Sequence, residues 1–206
     1  GSRARHARPW SSPRATWGLP KNIPLTSLSS TVDRLHDEPL PGGGGREGKG
    51  DGEGEGGEGG GFKNPNPVAS MVLLPLVRSK VDVPIIAAGD MVDGATMAAA
   101  FALGAEGVQM GTRMVSSLES PVHDNWKHAI VNAEETGTVF LNKFHSPALR
   151  ALRTKRTTEM EKAIDENIFG QFGDAKSLYF GGDMEAAVPL SGQVAGRIES
   201  VRPVAE

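Results

Sequence analysis

The sequence predicts an α/β fold that contains at least one strand–helix–strand unit. Residues 83–88 (VPIIAA) and 107–110 (GVQM) are short, largely apolar runs, and the alanine-rich segment 95–103 between them ends before Gly104. The two runs start 24 residues apart, which is enough chain for a crossover helix between parallel strands. The connection is expected to be right-handed. Because a continuous apolar run is typical of a strand covered on both sides, we expect the first strand to be buried on both faces.

The other segments of this region predict further helices. One is expected over 68–80. Another begins at Ser120 and Pro121, a capping residue followed by a first-turn proline, and runs to about Glu134. After residues 138–141 the chain is expected to be mostly helical. The helices predicted there begin at Ser146 and Pro147, span 158–168 and span 191–198.

Glycine is concentrated in one segment of the chain. Of the 27 glycines, 13 lie between Gly42 and Gly61, where they alternate with charged residues. Such a segment buries almost no apolar surface and cannot offset the entropy of ordering its backbone. We therefore predict a disordered, low-complexity Gly/Glu-rich tail over 1–57 and a folded domain over 58–206. Within the tail, only 25–35 has the pattern of a short helix.

The composition excludes several classes of function. The chain has no cysteine, so disulfides, thiolate nucleophiles and cysteine-ligated metal sites are excluded. The formal net charge of -3 gives no reason to expect nucleic acid as a partner. No apolar run approaches the roughly 20 residues that cross a bilayer, so we expect no membrane association.

The N-terminal segment leaves the location of the protein open. The first 21 residues carry five basic residues and no acid, which is typical of an organellar transit segment. Three prolines in the same segment oppose the amphipathic helix that such a signal needs. We therefore expect a cytoplasmic protein, with organellar targeting as the alternative.

Each predicted strand is followed by a glycine. Gly89 follows the first strand, and Gly111 and Thr112 follow the second. Ligands of parallel α/β folds bind at the carboxyl ends of the strands, and backbone N–H groups together with a threonine hydroxyl suit a phosphate. Glycine in this position is also typical of an ordinary tight turn, so both interpretations stay open.

Longer stretches match a known family. Residues 83–89 (VPIIAAG), Asp93 with Gly94, and 98–113 (AAAFALGAEGVQMGTR) closely resemble the nitronate monooxygenase (2-nitropropane dioxygenase) family, which includes the flavin-dependent enoyl-acyl-carrier-protein reductases. The resemblance covers about 58–206. Its further motifs are 58–61 (EGGG), 71–75 (MVLLP), 120–123 (SPVH), 150–153 (RALR) and 191–196 (SGQVAG).

This resemblance implies a partial TIM (β/α)8-type barrel, of which the chain carries the last βα units, together with a helical C-terminal region. It implies FMN as the cofactor and a small-molecule substrate. The implied activity is the oxidation of alkyl nitronates with O2 or, in the reductase branch, the reduction of enoyl thioesters with NAD(P)H.

The resemblance also implies which residues bind the cofactor. In the loop after the sixth strand, Gly60 and Gly61 would lie near the flavin ring system. Gln193 is a less specific candidate near the cofactor. The remaining cofactor-binding positions belong to the phosphate-binding loops after the seventh and eighth strands. These residues are Gly89, Asp90, Gln109, Met110, Gly111 and Thr112.

Three features depart from the family pattern. Phe62 stands where the family has a histidine, and a phenyl ring cannot exchange protons near pH 7. Asp90 replaces the second glycine of the phosphate loop, where a carboxylate repels a phosphate dianion unless it turns away. A complete barrel also needs about six strands before this region, and residues 1–57 contain no credible set.

Other residues capable of chemistry have simpler interpretations. His123 and His128 are five residues apart and do not form a metal pair, so we interpret them as surface groups. His145 precedes Ser146 and is interpreted as part of a cap. Tyr179 is interpreted as a packing residue, and no metal site is predicted.

Two functional hypotheses follow. The first is an FMN-dependent oxidoreductase resembling nitronate monooxygenase, represented here by a C-terminal portion. The second is a remnant or interaction module without turnover, because two or three βα units cannot close a barrel. No residue of the chain is predicted to be the catalytic base.

Overall fold

The predicted α/β class is confirmed by the computed structural model, which describes residues 56–205. The tail and the short helix predicted within residues 1–55 lie outside the described residues, and the domain boundary near residue 57 stays a prediction. None of the described helices is long and apolar enough to cross a membrane. The elements are β1 (Gly61–Lys63), α1 (Ser70–Arg78), β2 (Ile86–Ala88), α2 (Gly94–Ala102), β3 (Gly107–Gln109), α3 (Thr112–Val115), α4 (Asp124–Val131), β4 (Thr138–Leu141), β5 (Ala148–Leu152), α5 (Lys155–Lys162), α6 (Ala175–Tyr179) and a 3-10 helix (Gln193–Arg197).

The strand–helix–strand unit forms as expected. Strands β2 and β3 pair in parallel, with Ala88 opposite Gln109, and α2 connects them. Helix α2 is followed by Gly104, whose φ of +99° is the left-handed conformation that glycine adopts without strain. On the helix side of the two strands, a core forms from Ile85, Ala87 and residues of α1 and α2.

Helix α2 begins with a reciprocal cap. The Asp93 carboxylate accepts a hydrogen bond from the Thr96 N–H at 2.8 Å, and the Thr96 hydroxyl accepts one from the Asp93 N–H at 3.0 Å. Arg197, on the 3-10 helix, donates to the same carboxylate at 2.6 Å. The backbone bond from Thr96, followed by the Thr96 hydroxyl and Arg197, outweighs partial burial and holds the pKa of Asp93 below its usual value.

We expect Asp93→Ala to destabilise the protein by about 1 kcal/mol at neutral pH, because an exposed helix loses its cap. A carboxyl whose pKa is lower in the folded state stabilises that state above its unfolded pKa, near 3.8. This contribution disappears as the pH falls through the lower, folded value. Urea unfolding at pH 7 and near pH 3 measures the difference in the free energy of unfolding between the wild type and Asp93→Ala. If the free energies of unfolding of the wild type and Asp93→Ala differ by the same amount at both pH values, the ionised carboxylate is not the origin of the difference.

The prediction that the first strand is buried on both faces is wrong. Only Ile86–Ala88 is a strand, and its two faces differ. Ala87 is fully buried against the helices, whereas Ile86 is 39% exposed on the opposite face. A parallel strand is buried on both faces only where elements cover both, and the helices of the described residues cover one.

The prediction of a mostly helical C-terminal region is also wrong. Instead of a helix beginning at Ser146–Pro147, the chain forms the central strand β5, which pairs antiparallel with β1 on one side and β4 on the other. Arg150 lies opposite both Gly61 and Phe140. The residues of β5 favour a helix by intrinsic propensity, but two neighbouring strands satisfy the backbone of the extended form on both edges.

Three predicted helices have different bounds. Helix α4 begins at Asp124 and not at Ser120, because the backbone N–H of His123 donates to Tyr179 O at 2.7 Å and the His123 ring accepts the Asn125 N–H. The helix predicted over 158–168 is α5, which ends at Lys162. The segment 191–198 forms only the short 3-10 helix.

Candidate functional site

The glycine tract ends in a loop over residues 56–61, called the glycine loop, which is held by backbone hydrogen bonds. The N–H of Gly59 donates to Gly56 O at 3.0 Å, and the N–H of Gly57 donates to Val68 O at 2.9 Å. A methyl group built on Gly57 would lie 2.5 Å from Pro67 Cβ. Close packing therefore requires glycine at position 57.

The glycine loop contacts the loop that follows β2. The N–H of Gly56 donates to Ala88 O at 3.3 Å. Gly89 has a φ of +120°, and a methyl group on it would lie 3.3 Å from Gly56 O and 3.4 Å from Gly59 N. Two segments that the sequence analysis assigned to the cofactor therefore touch each other.

A third segment, 191–193, links the glycine loop to the end of β3. The N–H of Gln193 donates to Glu58 O at 2.8 Å, and the N–H of Gly192 donates to the Thr112 hydroxyl at 2.9 Å. A methyl group on Gly60 would lie 2.6 Å from the Ser191 carbonyl carbon. The loops that carry Gly60, Gly89 and Thr112 thus meet at one place, the three-loop junction.

Open space adjoins this junction at two positions. A methyl group built on Gly61 or on Gly111 would meet no atom within 4 Å. Gly111 is the residue that precedes α3, with a φ of -90°. Gln109 is exposed, and Met110 is partly buried against the helix-side core, so these two predicted site residues are on opposite sides of the strand end.

Asp90 has an unusual environment. Its Oδ1 atom is buried, and no hydrogen-bond donor reaches it among the described residues. Buried carboxylate oxygens in proteins are almost always paired with a donor. Asp90, one of the residues that depart from the family pattern, therefore also has a buried oxygen without a donor.

Two charged side chains anchor the glycine loop. Arg150 Nε donates to Gly57 O at 3.1 Å, and its Nη1 donates to the Thr138 hydroxyl at 3.2 Å. The Glu58 carboxylate accepts from the N–H of Ser70 at 3.3 Å and so joins the loop to the start of α1. Burial lowers the pKa of the Arg150 guanidinium, and the charge of Glu58 opposes that shift.

Arg150 is a part of this arrangement that was not predicted from the sequence. The residue is the single charged position within the apolar strand Ala148–Leu152, and a lone charge in a buried strand is the signal that indicates a specific partner. The neighbours of Phe62 were not predicted either. The Phe62 ring, 51% exposed, packs edge-on against Phe172 at 5.6 Å and lies 6.4 Å from Phe169.

The structure places the other candidates as follows. Tyr179 packs edge-on against Trp126 with ring centroids 4.7 Å apart. His128 is exposed as expected, whereas His123 is partly buried and its ring accepts the Asn125 N–H at the start of α4. The prediction that His145 is part of a cap is wrong, because no helix begins at Ser146, and its Nε2 lies 3.3 Å from Asp165 O. Arg113, adjacent to Thr112, donates to Ser200 O at 3.0 Å and faces the C-terminal segment. Over residues 56–205, no group of three potential metal ligands is found.

Comparison with known proteins gives consistent results. A family model described as nitronate monooxygenase matches residues 51–206. A probable nitronate monooxygenase of Staphylococcus saprophyticus subsp. saprophyticus is 36% identical over 99 residues, which are 48% of this chain and 28% of that protein. The corresponding protein of Staphylococcus aureus (strain Newman) is 37% identical over 95 residues, which are 46% of this chain and 27% of that protein.

Solved structures are similar over a larger share of the chain. FabK from Thermotoga maritima superposes with a TM-score of 0.69 at 36% identity, covering 86% of this chain and 54% of that one. A nitroalkane oxidase from Streptomyces ansochromogenes superposes with a TM-score of 0.56 at 23% identity, over 72% of this chain and 46% of that one, and this similarity concerns the fold. The chain thus spans about half of these structures and less than a third of the curated relatives it matches.

Proposed function

The chain belongs to the nitronate monooxygenase family, and we propose that it is a flavin-dependent oxidoreductase that acts on alkyl nitronates with O2. The observation that carries the proposal is the three-loop junction. Segments up to 135 positions apart, which the family resemblance assigns to one cofactor, are joined by the hydrogen bonds Gln193 N to Glu58 O and Gly192 N to Thr112 Oγ1.

The described residues suit a flavin in two respects. Space is open beside Gly61 and Gly111, so a ligand can approach the backbone there. Thr112 accepts one hydrogen bond from Gly192, and a hydroxyl that accepts keeps its own O–H as a donor. Asp90 is the residue that does not suit a phosphate, because its buried oxygen can only accept.

In this proposal the chain supplies binding and orientation. A bound flavin provides the electron transfer that protein side chains lack. Gly60 and Gly61 would present backbone to the flavin ring system, and Gly89, Gly111 and Thr112 would hold the other end of the cofactor. None of the described residues that meet at the junction is a histidine, so these residues offer no neutral-pH proton acceptor of the family type.

We also propose that β2 and β3 are the seventh and eighth strands of a barrel. Carbonyls alternate in direction along a strand, and Ile85 O accepts from Glu106 N on the β3 side. Ala88 O therefore points to the other edge, where it accepts from Gly56 N. The segment at Gly56, β2 and β3 thus lie side by side in chain order, as consecutive parallel strands of a barrel do. The half-exposed Ile86 is on the face that a barrel interior would cover.

Two matched glycine variants test the site. Gly111→Ala and Gly94→Ala both add a methyl group that meets no protein atom within 4 Å, and both are at the start of a helix. We expect equal unfolding temperatures for both variants, because neither is strained. Only Gly111→Ala should weaken flavin binding, by about tenfold or more, because its methyl group enters the proposed cofactor space. Quenching of flavin fluorescence measures the dissociation constants.

The outcomes separate the candidate functions. Equal flavin affinity in both variants would contradict the assignment of Gly111. Absence of flavin binding in the unmodified chain would favour a protein without turnover. With flavin bound, O2 uptake with an alkyl nitronate supports the proposed activity, whereas NAD(P)H oxidation with an enoyl thioester would favour the reductase alternative.

A further inference from the structure

Helix α1 is apolar on all sides, including the side that faces solvent. Of its residues, only the first, Ser70, and the last, Arg78, are polar. Leu74 and Val77 pack in the helix-side core. The exposed apolar residues of the helix and of the turn before it form the outer stripe, which consists of Val68, Met71, Val72 and Leu76. A helix that is apolar all round is typically buried, so the outer stripe indicates a surface that binds another segment.

One part of the N-terminal tail has a pattern that matches this surface. Residues 25–35 (LTSLSSTVDRL) lie outside the described residues, and their sequence predicts a short helix. Its apolar residues follow one another at intervals of three, four and three, which puts them on one face; they are Leu25, Leu28, Val32 and Leu35. All other residues of the segment are polar. So short a helix is marginal in water by itself, and it needs an apolar surface on which to bury that face.

The described part of the chain begins beside the outer stripe. The N–H of Gly57 donates to Val68 O at 2.9 Å, and the Glu58 carboxylate accepts from the N–H of Ser70 at 3.3 Å. A methyl group built on Gly56 would overlap the Ser70 hydroxyl oxygen. The tail therefore joins the domain at the end of α1 where the outer stripe begins.

The linker between the two parts has a suitable length. Residues 36–55 connect the segment 25–35 to Gly56, and 8 of these 20 residues are glycine. A glycine-rich linker of this length is expected to have an r.m.s. end-to-end distance of about 25 Å, whereas a helix as long as α1 extends about 14 Å. The whole outer stripe is within reach. Because such a tether gives a local concentration of roughly millimolar, the tail is favoured over a second copy of the chain.

We propose that residues 25–35 form an amphipathic helix that packs its apolar face on the outer stripe of α1. The glycine-rich residues 36–55 are then the tether between this helix and the domain. Packing removes apolar surface of both helices from water, which is the driving force for docking. The inference goes beyond the proposed function and does not depend on flavin binding.

Thiol labelling of the full chain, which has no cysteine of its own, tests this inference. Val72→Cys puts one thiol in the outer stripe, and Val83→Cys puts one at an exposed apolar residue outside it. Residue 72 is 59% exposed on the domain and residue 83 only 41%, so an uncovered stripe would react at least as fast. We expect the thiol at position 72 to react with a water-soluble maleimide about tenfold or more slowly than the thiol at position 83.

Substitutions in the tail identify the occupant. Leu28→Ser combined with Val32→Ser should bring the labelling rate at position 72 up to that at position 83. Leu19→Ser combined with Leu40→Ser is the matched control, because it makes a similar change in the tail outside 25–35, and it should leave labelling slow. Leu76→Cys reports on the same stripe if Val72→Cys does not fold.

Three results would overturn the inference. Labelling at position 72 that is as fast as at position 83 in the unmodified tail would mean that the outer stripe is uncovered. Slow labelling that becomes faster on dilution would assign the stripe to a second copy of the chain. Slow labelling that Leu28→Ser with Val32→Ser does not change would assign it to a different part of the chain.

Discussion

Replacing Phe62 by histidine should raise nitronate-dependent O2 uptake by about a hundredfold or more, the range that a well-placed general base contributes. The family resemblance predicts a histidine at this position. Phe62 directly follows Gly61, beside which space is open, and its ring is half exposed, so an imidazole has room there. An imidazole exchanges protons near neutral pH, which a phenyl ring cannot do.

The pH dependence identifies the origin of such a gain. A histidine base acts in its neutral form, so the rate of Phe62→His should increase as the pH rises through about 6.5. Phe62→Leu is the matched control, because it removes the same ring contacts with Phe172 and Phe169 without adding a base. If Phe62→His binds flavin but gains nothing over Phe62→Leu, Phe62 does not occupy the position of a missing base.

The second large effect is expected for Arg150→Met, which should destabilise the protein by about 1–3 kcal/mol. The substitution keeps most of the side-chain volume but leaves Gly57 O and the Thr138 hydroxyl without the guanidinium that donates to both. Gly57 is buried, so water cannot fully replace the lost donor. The guanidinium also lies 5.2 Å from the centre of the Phe140 ring, a contact that the variant loses.

Arg153→Met is the control for this prediction. Arg153 directly follows β5. Its salt bridge to Glu161 at 2.7 Å joins two side chains that are each about 40% exposed. Exposed pairs of this kind contribute about 0–1 kcal/mol. Urea unfolding of both variants measures the difference. Equal losses in the two would show that Arg150 has no special role in holding the glycine loop.

Arg150→Lys refines the result. A lysine keeps the charge but not the fork that donates to two acceptors at once, so we expect it to recover only part of the lost stability. Full recovery would mean that charge alone, through Glu58, accounts for the effect.

The strand–helix–strand unit was predictable from local sequence. The apolar runs and the stop at Gly104 act over a few residues, and the structure has both. The strand β5 was not predictable in this way. Alanine, leucine and arginine favour a helix locally, and only pairing with β1 and β4 makes the extended form the more stable one.

For the candidate site, the sequence by itself determined the family and the glycines that a close backbone approach requires. Only the tertiary structure decided how they meet: Gly192 bonds Thr112, 80 positions away, and Arg150 bonds Gly57, 93 positions away. It also left Asp90 Oδ1 without a donor. The physical reason is that backbone conformation depends on neighbours along the chain, whereas the satisfaction of a buried polar group depends on whatever distant segment packs against it.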